Sequence, residues 1–221
     1  MELSAKKLAK MIDHTELKPI ATEDHIRKLC HEAVENGFGA VCVNSCYVET
    51  ACEELKDKDV EVCSVVGFAL VSMVTDAKAF EAQSAVDKGA TEIDMVMNLG
   101  MLKSGNLKGV KNDIAAVVKA SQGTTVKVIL ETGYLTEDEI VTACKTVKEA
   151  GAHFVKTSTG FGPRGASIED VRIMHDTVGD DLGIKAAGGI GTYADAISMI
   201  EAGATRIGAS RGIDIIKGAK K

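Results

Sequence analysis

The sequence predicts an α/β fold, a closed parallel (β/α)8 TIM barrel, on three observations. Short apolar runs rich in Val and Ile alternate eight times with longer segments of helical period. One helix-to-strand joint recurs, as Glu35-Asn36-Gly37, Asp87-Lys88-Gly89-Ala90, Glu149-Ala150-Gly151-Ala152 and Glu201-Ala202-Gly203-Ala204. The length of 221 residues suits one barrel domain over 1–221, and no shift in composition marks a boundary or linker. A doubly wound open sheet is the alternative; eight units favour closure.

In chain order, an amphipathic, lysine-bearing stretch over 1–10 lacks the apolar core of a signal peptide. The first strand is expected at 11–14. Thr22-Glu23-Asp24 supplies an N-cap and an acidic first turn for a helix over 22–36, closed by Gly37. Strand 40–44 and helix 48–56 follow, then strand 60–67 and helix 75–88, closed by Gly89. Strand 92–97 leads to helix 106–120. After strand 125–131, Thr136-Glu137-Asp138-Glu139 forms a capping box that opens helix 136–150, closed by Gly151. Strands 153–158, 183–187 and 205–209 come last, with helices 167–178, 192–202 and 211–218. Both prolines, Pro19 and Pro163, fall in loops.

Composition narrows the function classes. Apolar residues at 45% and charged residues at 26% are ordinary for a soluble domain with a buried core. With no Trp, that core must come from Val, Ile, Leu, Ala and Met. A net charge of −6 with dispersed lysines lacks the footprint of a nucleic-acid binder. No apolar run reaches the length of a membrane span. Cys30, Cys42, Cys46, Cys52, Cys63 and Cys144 show neither C-x-x-C nor zinc-ligand spacing, so reduced thiols in a cytoplasmic protein and no metal site are expected.

Polar residues stand where a barrel interior would be apolar. Successive strand residues alternate between the helices and the interior. If Ile12, Val41, Val43, Ile93, Met95, Val126, Val128, Val155, Ile184 and Ala186 face the helices, then Asp13, Thr15, Cys42, Asn44, Asp94, Lys127, Glu131, Lys156, Ser158 and Lys185 face inward. Buried charges must be paired or neutralised. Three lysines and three carboxylates in one phase point to an active site at the C-terminal strand ends. Lys127 and Glu131 are candidates for a structural ion pair.

Lys156 and Lys185 fall on neighbouring strands, where like charge and burial favour a free amine on one of them. A free amine attacks a carbonyl, and the protonated imine is an electron sink that lets a carbon–carbon bond break or form without a metal. The spacing leaves open which lysine does this. Asp94, with a water, is the natural proton donor and acceptor. Ser158-Thr159-Gly160, Gly188-Gly189-Ile190 and Gly208-Ala209-Ser210 follow the last three strands. The last two of these joints each open a helix, as barrel phosphate sites do.

At this point the chain resembles the deoxyribose-phosphate aldolase family of class I, Schiff-base aldolases. The matching phrases run nearly end to end: Ile12-Asp13-His14-Thr15-Glu16-Leu17, Ala40-Val41-Cys42-Val43-Asn44, Glu92-Ile93-Asp94-Met95-Val96, Lys127-Val128-Ile129-Leu130-Glu131-Thr132, the KTSTGF phrase from Lys156, the KAAGGI phrase from Lys185, and Arg206-Ile207-Gly208-Ala209-Ser210. The resemblance implies reversible cleavage of 2-deoxy-D-ribose 5-phosphate to D-glyceraldehyde 3-phosphate and acetaldehyde. It implies Lys156 as the Schiff-base lysine, Lys185 as the residue that tunes it and shares proton transfer, and Asp94 as proton donor/acceptor. Asp13, Thr15, Cys42, Lys127 and Thr159 would bind substrate; Gly160, Gly188, Gly189, Gly208 and Ser210 would bind phosphate. No cofactor is implied, and a homodimer is common in the family. One position departs from the pattern: Gly191 stands where the family usually has Arg, which implies either weaker phosphate affinity or a charge supplied by Arg164 or Arg211.

Two other readings compete. Another phosphosugar aldolase or isomerase could use the same loops, but an isomerase would want a Glu base and a neutral His, and the inward set holds no His. A non-catalytic phosphate-binding barrel would have no need to bury Lys156, Lys185 and Asp94.

Overall fold

The computed structural model describes residues 3–70 and 72–219. The elements run α1 (Ala5–Lys10), β1 (Ile12–Glu16), α2 (Glu23–Asn36), β2 (Ala40–Asn44), α3 (Val48–Glu54), β3 (Glu61–Val66), α4 (Thr75–Asp87), β4 (Glu92–Val96), α5 (Leu99–Lys103), α6 (Leu107–Ala120), β5 (Thr125–Ile129), α7 (Glu137–Glu149), β6 (Phe154–Lys156), α8 (Ile168–Val178), β7 (Gly183–Ala187), α9 (Tyr193–Glu201), β8 (Arg206–Ala209) and α10 (Gly212–Ala219). The eight strands close into a barrel in sequence order, each parallel to the next, and β8 returns to β1 through Asp13 beside Gly208. The expected (β/α)8 barrel is therefore the observed one.

The joints work as their residues dictate. Thr22 caps α2 by accepting from the His25 N–H, and the His25 ring accepts from the Thr22 N–H in return. Along α2, Ile26, Leu29, Cys30 and Ala33 form one buried stripe at helical spacing. Thr136 and Glu139 close the capping box of α7. The recurring joint uses Gly37, Gly89, Gly151 and Gly203 at positive φ of 65°, 105°, 83° and 117°, a backbone that side chains resist.

Four element ends differ from the sequence reading by two residues, α3 among them with its end at Glu54, and two helices are additional. β1 runs two residues further than expected, to Glu16; β5 stops at Ile129 and β6 at Lys156. Past those ends the chain still bonds across the mouth: the Leu130 N–H donates to the Lys156 carbonyl (2.8 Å) and the Thr157 N–H to the Lys185 carbonyl (3.0 Å). The helices α1, capped by Ser4, and α5, capped by Asn98, are too short to show a helical repeat. Lys220 and Lys221 lie outside the described residues, as do Met1 and Glu2 of the stretch over 1–10.

The apolar core lies between strands and helices. Ile12, Val41, Val43, Ile93, Met95, Val126, Val128, Val155, Ile184 and Ala186 all join it, in the expected phase. Among the described residues, two small apolar groups lie inside the barrel, Leu17 with Cys42, Cys63 and Val65, and Val96 with Ile129, and Phe68 packs against both.

One buried ion pair sits outside the barrel. Lys78 on α4 donates to Asp113 on α6 (2.5 Å) and to the carbonyl of Val96 at the end of β4 (3.1 Å), with both side chains wholly buried. It ties two helices to the strand that carries Asp94. Asp113→Ala strands the Lys78 ammonium and is expected to cost about 3–5 kcal/mol, read as a lower urea midpoint. Adding Lys78→Met should recover most of it.

Candidate active site

Alternation along the strands turns one charged group after another into the barrel. Asp94 on β4 is the hub. Its Oδ2 accepts from Lys156 Nζ on β6 and Lys185 Nζ on β7, each at 2.7 Å. Its Oδ1 accepts from Lys127 Nζ on β5 (2.9 Å) and from the Cys63 thiol on β3 (3.1 Å). Lys185 also donates to Asp13 on β1, whose other oxygen accepts from Arg206 Nε on β8 at 2.6 Å. Arg206 bonds Glu92 at 2.8 and 3.0 Å, and Glu92 accepts from Lys127 at 2.6 Å, which closes the circuit. Three carboxylates thus face four cations.

This circuit sets the charge states. Burial would raise the Asp94 carboxyl, but Lys127, Lys156 and Lys185 hold it well below the usual carboxylate range. Burial opposes ionisation of Asp13 too, and Lys185, Lys127 and Arg206 still bring it down to about 2. Burial would strip the Lys185 proton, yet Asp13 and Asp94 keep that ammonium well above the ordinary lysine value; Asp94 does the same for Lys127. The sequence expectation treated Lys156 and Lys185 as bare neighbours. In the fold the Asp94 carboxylate lies between them, and Lys185 is held charged.

A depressed carboxyl stabilises the fold in full above its unfolded value and loses that contribution as pH falls through its folded value. Asp13→Asn should therefore destabilise by a constant amount above about pH 4, and the gap should shrink as pH falls toward 2. Calorimetric unfolding of both chains across that range reads it.

Above the circuit, at the C-terminal strand ends, opens a cleft of about 450 Å³. Lys156 lines it; Lys185, Lys127 and Asp94 lie beneath. Of the residues expected to bind substrate, Thr15 and Thr159 are on the walls. Asp13, Cys42 and Lys127 are not: they are fully buried under the floor, because strand phase fixes the side a residue faces and not its depth. Gly160, Gly188, Gly189, Gly208 and Ser210 all reach the wall. A Cβ on Gly208 would come within 3.0 Å of Lys185 Cε, so this glycine also makes room for the lysine stem.

Glu131 does not pair with Lys127. β5 has already ended, and Glu131 takes a left-handed backbone (φ 51°) that turns its carboxylate to Thr159, where it accepts from the N–H (3.2 Å) and the hydroxyl. It anchors the loop after β6. Glu92, Arg206 and Cys63 are members of the circuit that the sequence reading passed over. Glu92 and Arg206 each sit two residues before an inward position, so the same alternation marks them. His14 faces outward and bonds Glu32 at 2.7 Å.

Beside Gly191 the structure places Arg211. A Cβ at Gly191 would lie 2.8 Å from Arg211 Nη1, so the guanidinium occupies the space above the glycine, on the cleft wall. Arg164 is committed to Asp170 and to the Thr132 carbonyl.

Over residues 7–218 the chain matches the model of the DeoC/LacD family aldolases, and it belongs to that family. Among its relatives, a deoxyribose-phosphate aldolase of Caldanaerobacter subterraneus subsp. tengcongensis is 58% identical over 223 residues, covering 100% of this chain and 96% of its own. One from Thermococcus gammatolerans is 56% identical, covering 96% of each chain. A solved structure described as a tetrameric deoxyribose phosphate aldolase from Aeropyrum pernix superposes with a TM-score of 0.93 at 33% identity, over 100% of this chain and 94% of that one.

Proposed function

We propose that this chain, as one catalytic domain over 1–221, cleaves 2-deoxy-D-ribose 5-phosphate reversibly to D-glyceraldehyde 3-phosphate and acetaldehyde. The observation that carries the reading is a lysine at the floor of an open cleft, backed by a carboxylate that a second, firmly charged lysine shares. The names of its relatives support the substrate.

Four cations against three carboxylates allow one ammonium to lose its proton and leave the centre neutral. Lys156 is the one of these lysines that lines the cleft, with Lys127 and Lys185 held charged beneath it, and it acts as the amine. Its Nζ adds to C1 of the open-chain sugar, the carbonyl oxygen leaves as water, and a protonated imine forms. The C3 hydroxyl gives up its proton and the C2–C3 bond breaks, its electron pair moving into the imine as an enamine. Glyceraldehyde 3-phosphate departs. A proton then returns to C2, with Asp94 and Lys185 as the relay, and water releases acetaldehyde and the lysine.

The phosphate lies against Gly188, Gly189, Gly208 and Ser210, with Gly160 opposite and Arg211 as its cation. Arg211 is exposed and tethered to Asp214 (3.1 Å), so its worth is modest. Arg211→Ala is expected to raise KM about tenfold and to change kcat less than about twofold, as steady-state kinetics on the phosphorylated sugar would register.

No described helix is long and apolar enough to cross a membrane. We take the chain to work in the cytoplasm as a homodimer. Leu70, Val74 and Phe80 expose apolar side chains at and before α4 that a second copy would cover.

Borohydride reduction in the presence of acetaldehyde, followed by peptide mass mapping, tests the reaction. The expected adduct is on Lys156. A folded chain with no adduct on any lysine would overturn the proposal.

A further inference from the structure

The proposed reaction leaves two buried nucleophiles idle. Cys42 on β2 and Cys63 on β3 are register partners on adjacent parallel strands, both inside the barrel and both fully buried. Their sulfurs and an Asp94 oxygen lie within 4.8 Å of one another. Adjacent strands stand about 4.8 Å apart, inside the range of Cα separations a disulfide spans.

We propose that Cys42 and Cys63 form an oxidation site, which a peroxide converts to a disulfide that disables the centre. In the first step the Cys42 sulfur attacks one peroxide oxygen, the O–O bond breaks, and a sulfenic acid and one water result. The Cys63 sulfur then attacks the Cys42 sulfur and displaces hydroxide, which takes up the Cys63 proton as a second water. Two thiols and one hydrogen peroxide thus give one disulfide and two waters.

The surroundings assign the roles. The Cys63 thiol gives its one proton to Asp94 and its sulfur accepts from Lys127, which leaves Cys42, on the side of Lys185 and Lys156, as the sulfur free to attack first. Burial and the Cys42 contact push Cys63 up, which suits the resolving partner. Elsewhere burial pushes the Cys30 and Cys144 thiols up to about 12. A divalent metal held by the same sulfurs and Asp94 would sit beside the Lys127 and Lys185 ammoniums; a neutral disulfide avoids that repulsion. A peroxide would enter from the cleft by displacing Lys156, whose Nζ reaches Asp94 above the two sulfurs.

The bond would act through Asp94. The Cys63 thiol is one of four donors to that carboxylate and also accepts from Lys127 at 3.5 Å. A disulfide sulfur has no proton to donate and is drawn toward Cys42. Asp94 then loses a donor and turns.

The effect on turnover rests on the proposed aldolase reaction; the cross-link does not, so mass and rate are read separately. The full chain is titrated with hydrogen peroxide. The exposed Cys46 reports exposure to the oxidant. The expected result is a Cys42–Cys63 linked peptide, an intact mass lower by two hydrogens, and a fall in kcat of at least about tenfold, below the hundredfold a positioned proton-transfer group supplies. Dithiothreitol should restore the rate. Cys63→Ala, compared with itself before oxidation, should lose less than about twofold. Oxidation of Cys46 with no Cys42–Cys63 link, or a link that leaves the rate unchanged, would overturn the proposal.

Discussion

Lys156→Ala is expected to lower kcat by about ten-thousandfold or more and to abolish borohydride trapping. The fold should survive almost unchanged. Lys156 is the cation at the edge of the circuit, and its removal leaves three cations facing three carboxylates, with Asp94 still accepting from Lys127, Lys185 and Cys63. A urea midpoint close to that of the parent chain, beside a dead enzyme, is the outcome to look for. Loss of folding together with activity would mean that Lys156 is a structural ion-pair member first.

Asp94→Asn is expected to fail in both respects. The amide matches the carboxylate in shape but leaves four buried cations facing two carboxylates. Breaking a buried pair in this way costs about 3–5 kcal/mol. Activity should fall by about a hundredfold to ten-thousandfold through loss of the proton relay. The two losses can be separated. Asp94→Asn combined with Lys127→Met removes one surplus charge, so the thermal midpoint should rise part of the way back while kcat does not. Recovery of kcat in the double variant would argue that Asp94 only holds the charges in place.

The phase of each strand was legible because a two-residue period leaves no choice once one face is apolar. Lys156, Lys185, Asp94, Lys127 and Asp13 stood out as charges in the wrong phase for packing, and all five enter the circuit. Depth was not legible. Whether an inward residue lines the cleft or lies below it depends on the stagger between strands, and for that reason Asp13, Cys42 and Lys127 sit under the floor beside residues expected to share it. Glu131 was misassigned because alternation applies only while the strand continues, and β5 ends at Ile129. The two shortest helices, α1 and α5, carry too little pattern to be read. Arg211 could be named as one of two candidates, and only the space above Gly191 chose it.

The circuit divides along the chain in an uneven way. Its carboxylates, Asp13, Glu92 and Asp94, all lie on β1 and β4, while Lys127, Lys156, Lys185 and Arg206 all lie on β5 to β8. The N-terminal half of the barrel is an acid lining and the C-terminal half a basic one. Neither half can bury its interior without the other, since like charges would face each other across a dry space. During folding, a half-barrel is therefore a poor resting point. Closure across the β4–β5 and β8–β1 seams, the latter joining residues 193 positions apart, neutralises both linings in one event. The charges proposed to serve catalysis would also make the barrel an all-or-none assembly.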